Sequence, residues 1–286
     1  MSDLAPKTMV WIGGSVSEAG SAKVPALDHG ITVGDGVFET LKVVDGTPFA
    51  LRRHLARLRR SAGVLDLPVP MDDGELRTAA GEVIDAVTAG GAVPGRLRIT
   101  VTGGPGPLGS NRDATTPTVL IAAGPATPWP PAAEVVTVPW VRNERSAVAG
   151  AKTTSYAENV VALAAAHRQG ASEAIFANTA GALCEGTGTN VFVVAGGRLL
   201  TPALATGCLA GITRELLLEV VDAEETDALG LDDLRSADEA FLTSSTRDVH
   251  PISRVDGVTR KGPVPGPATS AAAAAFATLQ ARSLDP

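Results

Sequence analysis

Short apolar runs and two helical stretches alternate along the first half of the chain. Met9 to Ile12, Val37 to Val44, Arg96 to Thr102 and Thr118 to Ala123 predict strands. Gly13-Gly14 and Asp45-Gly46 supply the turns that would close hairpins. On the second strand Phe38 and Thr40 point one way, Val37 and Glu39 the other. Pro48 to Ala62 predicts a helix, because Leu51, Leu55 and Leu58 recur at i, i+4 and i+7. Five arginines (52, 53, 57, 59 and 60) cover much of the rest of it, and for most of them a solvated face is expected. Asp72 to Ala89 reads as a second amphipathic helix, through Leu76, Val83, Ile84 and Val87. Ala26 to Gly36 and Gly103 to Arg112 are too rich in glycine and proline for regular structure and are expected as loops.

Beyond residue 131 the rhythm changes. Val135 to Trp140, Glu173 to Asn178, Thr189 to Val194, Arg198 to Thr201 and Glu239 to Thr243 predict strands. Ser155 to Gln169, Thr213 to Val221 and Thr269 to Arg282 predict helices, the first with Val160, Leu163 and Ala164 on its apolar face. Gly124 to Pro131 holds four prolines in eight residues and marks a linker. The expected organisation is an α+β fold of two domains, residues 1–123 and 132–286, joined by 124–131. Strict βαβ alternation is missing from the first half, which argues against one doubly wound sheet.

A length of 286 residues with 44% hydrophobic and 19% charged residues fits a soluble globular chain. The net charge of −7 argues against a general nucleic-acid binder. No run approaches the ~20 apolar residues of a membrane span. The first residues lack the basic-then-apolar pattern of a signal peptide, so a cytoplasmic location is expected. Cys184 and Cys208 form no CxxC and have no histidine at ligand spacing, so no metal site is expected. The four histidines make no nucleophile elbow.

The stretch from Ala151 to Gly211 concentrates the candidate chemistry. Lys152 precedes a helix among small and hydroxyl residues, with Tyr156 one turn on. A lysine there is most often a solvated surface residue; partial burial would make it a Schiff-base nucleophile. Glu185, in LCEGTGTN, is either an exposed turn carboxylate or the partner of a protonated pyridine nitrogen. Gly211-Ile212-Thr213 opens a helix whose first N–H groups favour an anion. Ser244, Ser245 and Thr246 form a hydroxyl cluster after a strand. Lysine, carboxylate and helix start together are what a pyridoxal phosphate site needs.

The ordered motifs GDGVFET at Gly34, HLARL at His54, AKTTSY at Ala151, EGTGTN at Glu185, LAGITR at Leu209 and FLTSSTRDV at Phe241 resemble the class IV, fold-type IV pyridoxal phosphate enzymes. That family includes branched-chain and D-amino acid aminotransferases, (R)-selective amine transaminases and 4-amino-4-deoxychorismate lyases. The resemblance implies a small N-terminal and a larger C-terminal α/β domain, usually in a homodimer. It implies Lys152 as Schiff-base lysine and proton carrier and Arg57 as phosphate arginine. It places Tyr156 near the phenolic oxygen, at an offset from the lysine that differs by one from the branched-chain enzymes. Glu185 would pair with the pyridinium, and Ile212, Thr213 and Ser245 would serve the phosphate.

The implied reaction passes an amino group from an amino acid to a 2-keto acid, with the D-series favoured and (R)-amines as further donors. The alternative is a lyase that releases pyruvate and 4-aminobenzoate from aminodeoxychorismate. In D-amino acid aminotransferases an arginine and a histidine after the RLRIT-like strand grip the substrate carboxylate; here that segment is VTGGPGPLGS, and Phe38 stands where those enzymes carry tyrosine. A carboxylate grip must be built differently. Arg96 and Arg98 are the candidates, with Arg142 behind them, because a guanidinium fork matches a carboxylate.

Overall fold

The computed structural model describes residues 8–112 and 116–286, and the chain gathers into two compact units. The first runs to Thr127 and also takes in Ala151–Tyr156 and Leu284–Pro286; the second holds Pro128–Gly150 and Ala157–Ser283. The lysine segment therefore belongs with the N-terminal half of the sequence.

The first unit is a six-stranded antiparallel sheet. Its strands are β1 (Met9–Ile12), β2 (Ser15–Glu18), β3 (Gly36–Val44), β4 (Thr47–Pro48), β5 (Arg96–Thr102) and β6 (Thr118–Gly124), in the order β2-β1-β6-β5-β3-β4. Alternation along β5 buries Leu97, Ile99 and Val101 and leaves Arg96, Arg98 and Thr100 on the other face. The buried face packs against α2 (Leu51–Val64) and α3 (Asp73–Ala89) through Leu55, Leu58, Leu76, Val83 and Ile84. Asp72 and Glu75 cap α3 reciprocally, which fixes its start as the sequence suggests. The expected start of α2 at Pro48 is three residues early. Ala50, in left-handed backbone at φ 55°, turns the chain before the helix begins.

The expected loop from Ala26 contains a one-turn helix, α1 (His29–Thr32), whose N-cap Asp28 accepts the Gly30 N–H. The Gly103–Arg112 loop is tied back to this segment. The His29 ring bonds the Pro107 carbonyl at 2.9 Å, and Arg112 grips both carboxylate oxygens of Asp35 at 2.5–2.6 Å.

The second unit is a mixed sheet with the path β12-β11-β10-β13-β14-β7-β8-β9 and β15 paired to β14. In chain order these are β7 (Ala133–Arg142), β8 (Glu173–Asn178), β9 (Leu183–Gly186), β10 (Asn190–Ala195), β11 (Arg198–Pro202), β12 (Ala223–Thr226), β13 (Glu239–Ser244), β14 (Asp248–Val255) and β15 (Val258–Thr259). Its helices are α4 (Ala157–Arg168), α5 (Ile212–Leu218), α6 (Leu231–Ser236) and α7 (Pro267–Arg282).

One expected face is corrected here. On α4, Val160 is 63% exposed, and the buried positions are Asn159, Ala162 and Ala166. The Asn159 amide bonds the Thr187 carbonyl at 2.8 Å, and small alanines let the helix approach β7 and β8 closely. Strand β14 had no clear signal, because Pro251 interrupts its apolar run; it nonetheless pairs with Phe241 of β13. The two units together make the α+β fold that the mixed pattern implied.

Candidate active site

In the first unit the site is built on α2. Its residues 54, 57 and 61 follow i, i+3 and i+7, and all three are polar and buried. Arg57 donates from Nε and Nη2 to the two oxygens of Glu39 on β3, at 2.8 and 2.6 Å. The His54 Nδ1 lies 2.6 Å from Glu39 Oε2; an ionised carboxylate only accepts, so this nitrogen carries the proton. Burial alone would raise the Glu39 pKa, but Arg57 and His54 outweigh it and hold the carboxyl down to about 2. Burial lowers the His54 pKa against the pull of Glu39, so the ring is neutral.

Residues Ala151–Tyr156 run as an extended segment beside β3. The Phe38 N–H donates to the Lys152 carbonyl at 3.0 Å and the Thr154 N–H to the Gly36 carbonyl at 2.8 Å. Gly36 has to be glycine here, since a Cβ would stand 2.8 Å from the Val101 carbonyl and 2.9 Å from the Thr154 hydroxyl. On the other side, the Lys152 N–H donates to Ser61 Oγ at 3.0 Å.

The lysine side chain then reaches the outer face of the sheet. Its Nζ lies 4.4 Å from the centre of the Phe38 ring and 5.8 Å from that of Tyr156, and the two rings meet edge to face. The Arg98 guanidinium stacks on Phe38 at 3.7 Å, with its Nε 3.3 Å from the Thr100 hydroxyl. Burial lowers the Arg98 pKa, with Tyr156 opposing. The structure thus brings Lys152, Phe38, Tyr156 and Arg98 together. Arg96 lies two residues away on the same face of β5, with a buried Nε that has no partner among the described residues. Arg57 sits on the opposite, helix-packed side of the strand from Phe38, anchored to Glu39.

In the second unit Glu185 lies on a strand, β9, and not at the turn that the sequence suggested. Its two oxygens accept from Arg142 Nε at 3.1 Å and from the Leu209 N–H at 2.9 Å. Arg142, expected behind the carboxylate grip, is instead engaged with Glu185 and stacks on Phe176 at 4.2 Å. The reason is its place at the end of β7, whose neighbour β8 carries Phe176 and pairs in turn with β9. Ile212 and Thr213 are buried in the first turn of α5, whose N-cap Gly211 makes no side-chain cap. Ser245 follows β13, and two residues before it the buried Thr243 hydroxyl has no partner among the described residues.

Sequence reasoning missed Glu39, His54 and Ser61. The available signal was polar residues recurring at helical spacing on the side of α2 that also buries Leu51, Leu55 and Leu58.

The first unit offers an amine against an aromatic ring and a locked guanidinium, and the second offers a carboxylate and a helix start without a side-chain cap; each is chemistry that suits a phosphorylated pyridine aldehyde. The comparisons agree with that chemistry. The family model described as "Amino-transferase class IV" matches residues 36–255, and the chain belongs to that family. It is 32% identical over 256 residues to the putative branched-chain-amino-acid aminotransferase of Methanocaldococcus jannaschii, covering 87% of this chain and 88% of that protein. It is 30% identical over 266 residues to the D-alanine aminotransferase of Bacillus licheniformis, covering 91% and 93%. The bifunctional aminodeoxychorismate lyase / D-amino acid transaminase of Mycobacterium tuberculosis is 32% identical over 277 residues, covering 87% and 91%.

Among solved structures, the fold IV-transaminase CpuTA1 of Curtobacterium pusillum superposes with a TM-score of 0.84 at 29% identity, covering 97% of this chain and 100% of that one. A hypothetical aminotransferase from Mycobacterium tuberculosis, solved in its PLP-bound form, gives 0.81 at 28%, covering 95% and 98%. Class IV aminotransferases depend on pyridoxal 5′-phosphate.

Proposed function

We propose that this chain transfers an amino group from an α-amino acid of the D-series to a 2-keto acid, with (R)-amines as further donors. The observation that carries the reading is the shared Phe38 ring, with the Arg98 guanidinium 3.7 Å and the Lys152 amine 4.4 Å from its centre. A carboxylate held by Arg98 brings the substrate α-carbon toward the lysine that must move its proton. Relatives named for D-alanine and D-amino acid transamination support the choice of series.

Bound pyridoxal phosphate supplies the electron sink that makes the α-proton acidic. The protein does the rest. Lys152 would bond the cofactor's aldehyde carbon and would move the proton of the substrate α-carbon. Arg57 holds the phosphate, with the Ile212 N–H and the Thr213 and Ser245 hydroxyls. Glu185, hydrogen-bonded by Arg142 Nε and the Leu209 N–H, would be the proton partner of the ring nitrogen, and Tyr156 would serve the phenolic oxygen. Phe38 and Arg98, with Arg96 along the same face, shape the substrate side. The working form is a homodimer, a reading supported by the exposed Ile31 and Leu108 on two segments that are tied together.

The test is a half-reaction without keto acid, followed by visible absorbance. D-alanine should convert the bound cofactor to its amino form, and L-leucine should not. Conversion by L-leucine alone contradicts the D-series reading. A second reading, aminodeoxychorismate lyase, is favoured by the bifunctional M. tuberculosis relative and by the missing arginine and histidine in the VTGGPGPLGS loop. Pyruvate release from aminodeoxychorismate, with no response to any amine, would establish it instead.

A further inference from the structure

The helix α2 carries two polar contacts of different kinds, four residues apart and therefore on one face. Arg57 is locked by Glu39 through its side chain. Ser61 acts on something else. Its hydroxyl, in a residue only 2% exposed, accepts the main-chain N–H of Lys152 at 3.0 Å. That amide belongs to a segment with no helix or named strand of its own, which β3 holds through its other edge by way of the Lys152 carbonyl and the Thr154 N–H. Ser61 closes the second side.

We propose that Ser61 is a positioning residue: it fixes the main chain at Lys152 against α2, so one rigid helix sets both the reactive lysine and the arginine four residues before it. This rests on the reading of Lys152 as the cofactor-bonding amine and of Arg57 as the phosphate ligand. A half-buried amide that loses its acceptor relaxes toward another partner or water, and a 1 Å shift of the backbone moves the amine away from the carbon it must meet. Both contacts come from one helix, so the spacing of the two anchors does not depend on loop geometry. The loss of Ser61 disturbs the lysine end and leaves the arginine end as it was.

The experiment uses full-length protein stripped of cofactor and titrated with pyridoxal phosphate and with pyridoxal, which lacks the phosphate. Ser61→Ala should weaken both by about tenfold, on the order of one lost hydrogen bond, and leave their ratio unchanged. Ser61→Thr keeps the hydroxyl and should hold both constants within about threefold. Arg57→Gln should weaken only the phosphorylated ligand, so that the ratio collapses. A folded Ser61→Ala protein that keeps both affinities, shifting only its unfolding midpoint, overturns the proposal. So does one in which the ratio changes. Ser61→Cys, similar in size with a weak acceptor, carries the same test should Ser61→Ala not fold. If Arg57→Gln leaves the ratio intact, the phosphate role of Arg57 falls and the single-helix claim with it, whatever Ser61→Ala shows. If borohydride still fixes the cofactor to a Lys152→Ala protein, the reading of Lys152 fails and takes the Ser61 proposal with it.

Discussion

Glu39 in the first unit and Glu185 in the second each pair with an arginine, but in different surroundings. The side chain of Glu39 is fully buried and its two oxygens meet Arg57 and His54; that of Glu185 is 13% exposed and meets one guanidinium and one backbone amide. The first carboxylate spends its charge on holding an arginine still. The sealed pair braces Arg57 from behind, as a guanidinium that is to hold a phosphate requires, and the more open pair leaves Glu185 partly exposed.

Substitution separates the two most sharply at Glu39. Glu39→Leu strands the Arg57 charge in the interior and should cost about 3–5 kcal/mol of unfolding free energy, measured by urea titration. Acid should act through the same group. The folded Glu39 binds its proton more weakly than the unfolded chain, with a pKa of about 2 against 4.5. Its contribution, about 3 kcal/mol, is therefore complete above about pH 4.5 and lost as pH falls toward 2. The neutral His54, lowered from 6.5, adds a loss of the same sign that begins below pH 6.5. A Glu39→Gln protein should lose the steep acid limb; an unchanged limb would move the acid sensitivity elsewhere.

The matching change in the second unit, Arg142→Met, should cost only about 1–2 kcal/mol, because Glu185 retains the Leu209 N–H and some access to water. Its larger effect should be a several-fold fall in kcat with unfolding nearly unchanged. Equal stability losses for Glu39→Leu and Arg142→Met would erase the distinction between the sealed and the open pair.

Much of this was legible in the chain. The α+β class, the helices around Leu55 and Val83, and the family resemblance all came from local pattern and ordered motifs. Residues that act through one another were harder to read. Glu39 occupies an alternating strand position that looks apolar by register, and only the fold shows that Arg57 and His54 meet it there. Arg142 looks like any strand-end arginine until β9 brings Glu185 to it. On α4, Val160, Leu163 and Ala164 suggested a core face, whereas packing against β7 and β8 selected Ala162 and Ala166.

Borohydride reduction of the yellow holoenzyme, followed by peptide mapping, tests the central claim most directly. One stoichiometric pyridoxyl label is expected, on the peptide that contains Lys152. A label on Lys42 or another lysine, or none on a cofactor-loaded protein, would contradict it.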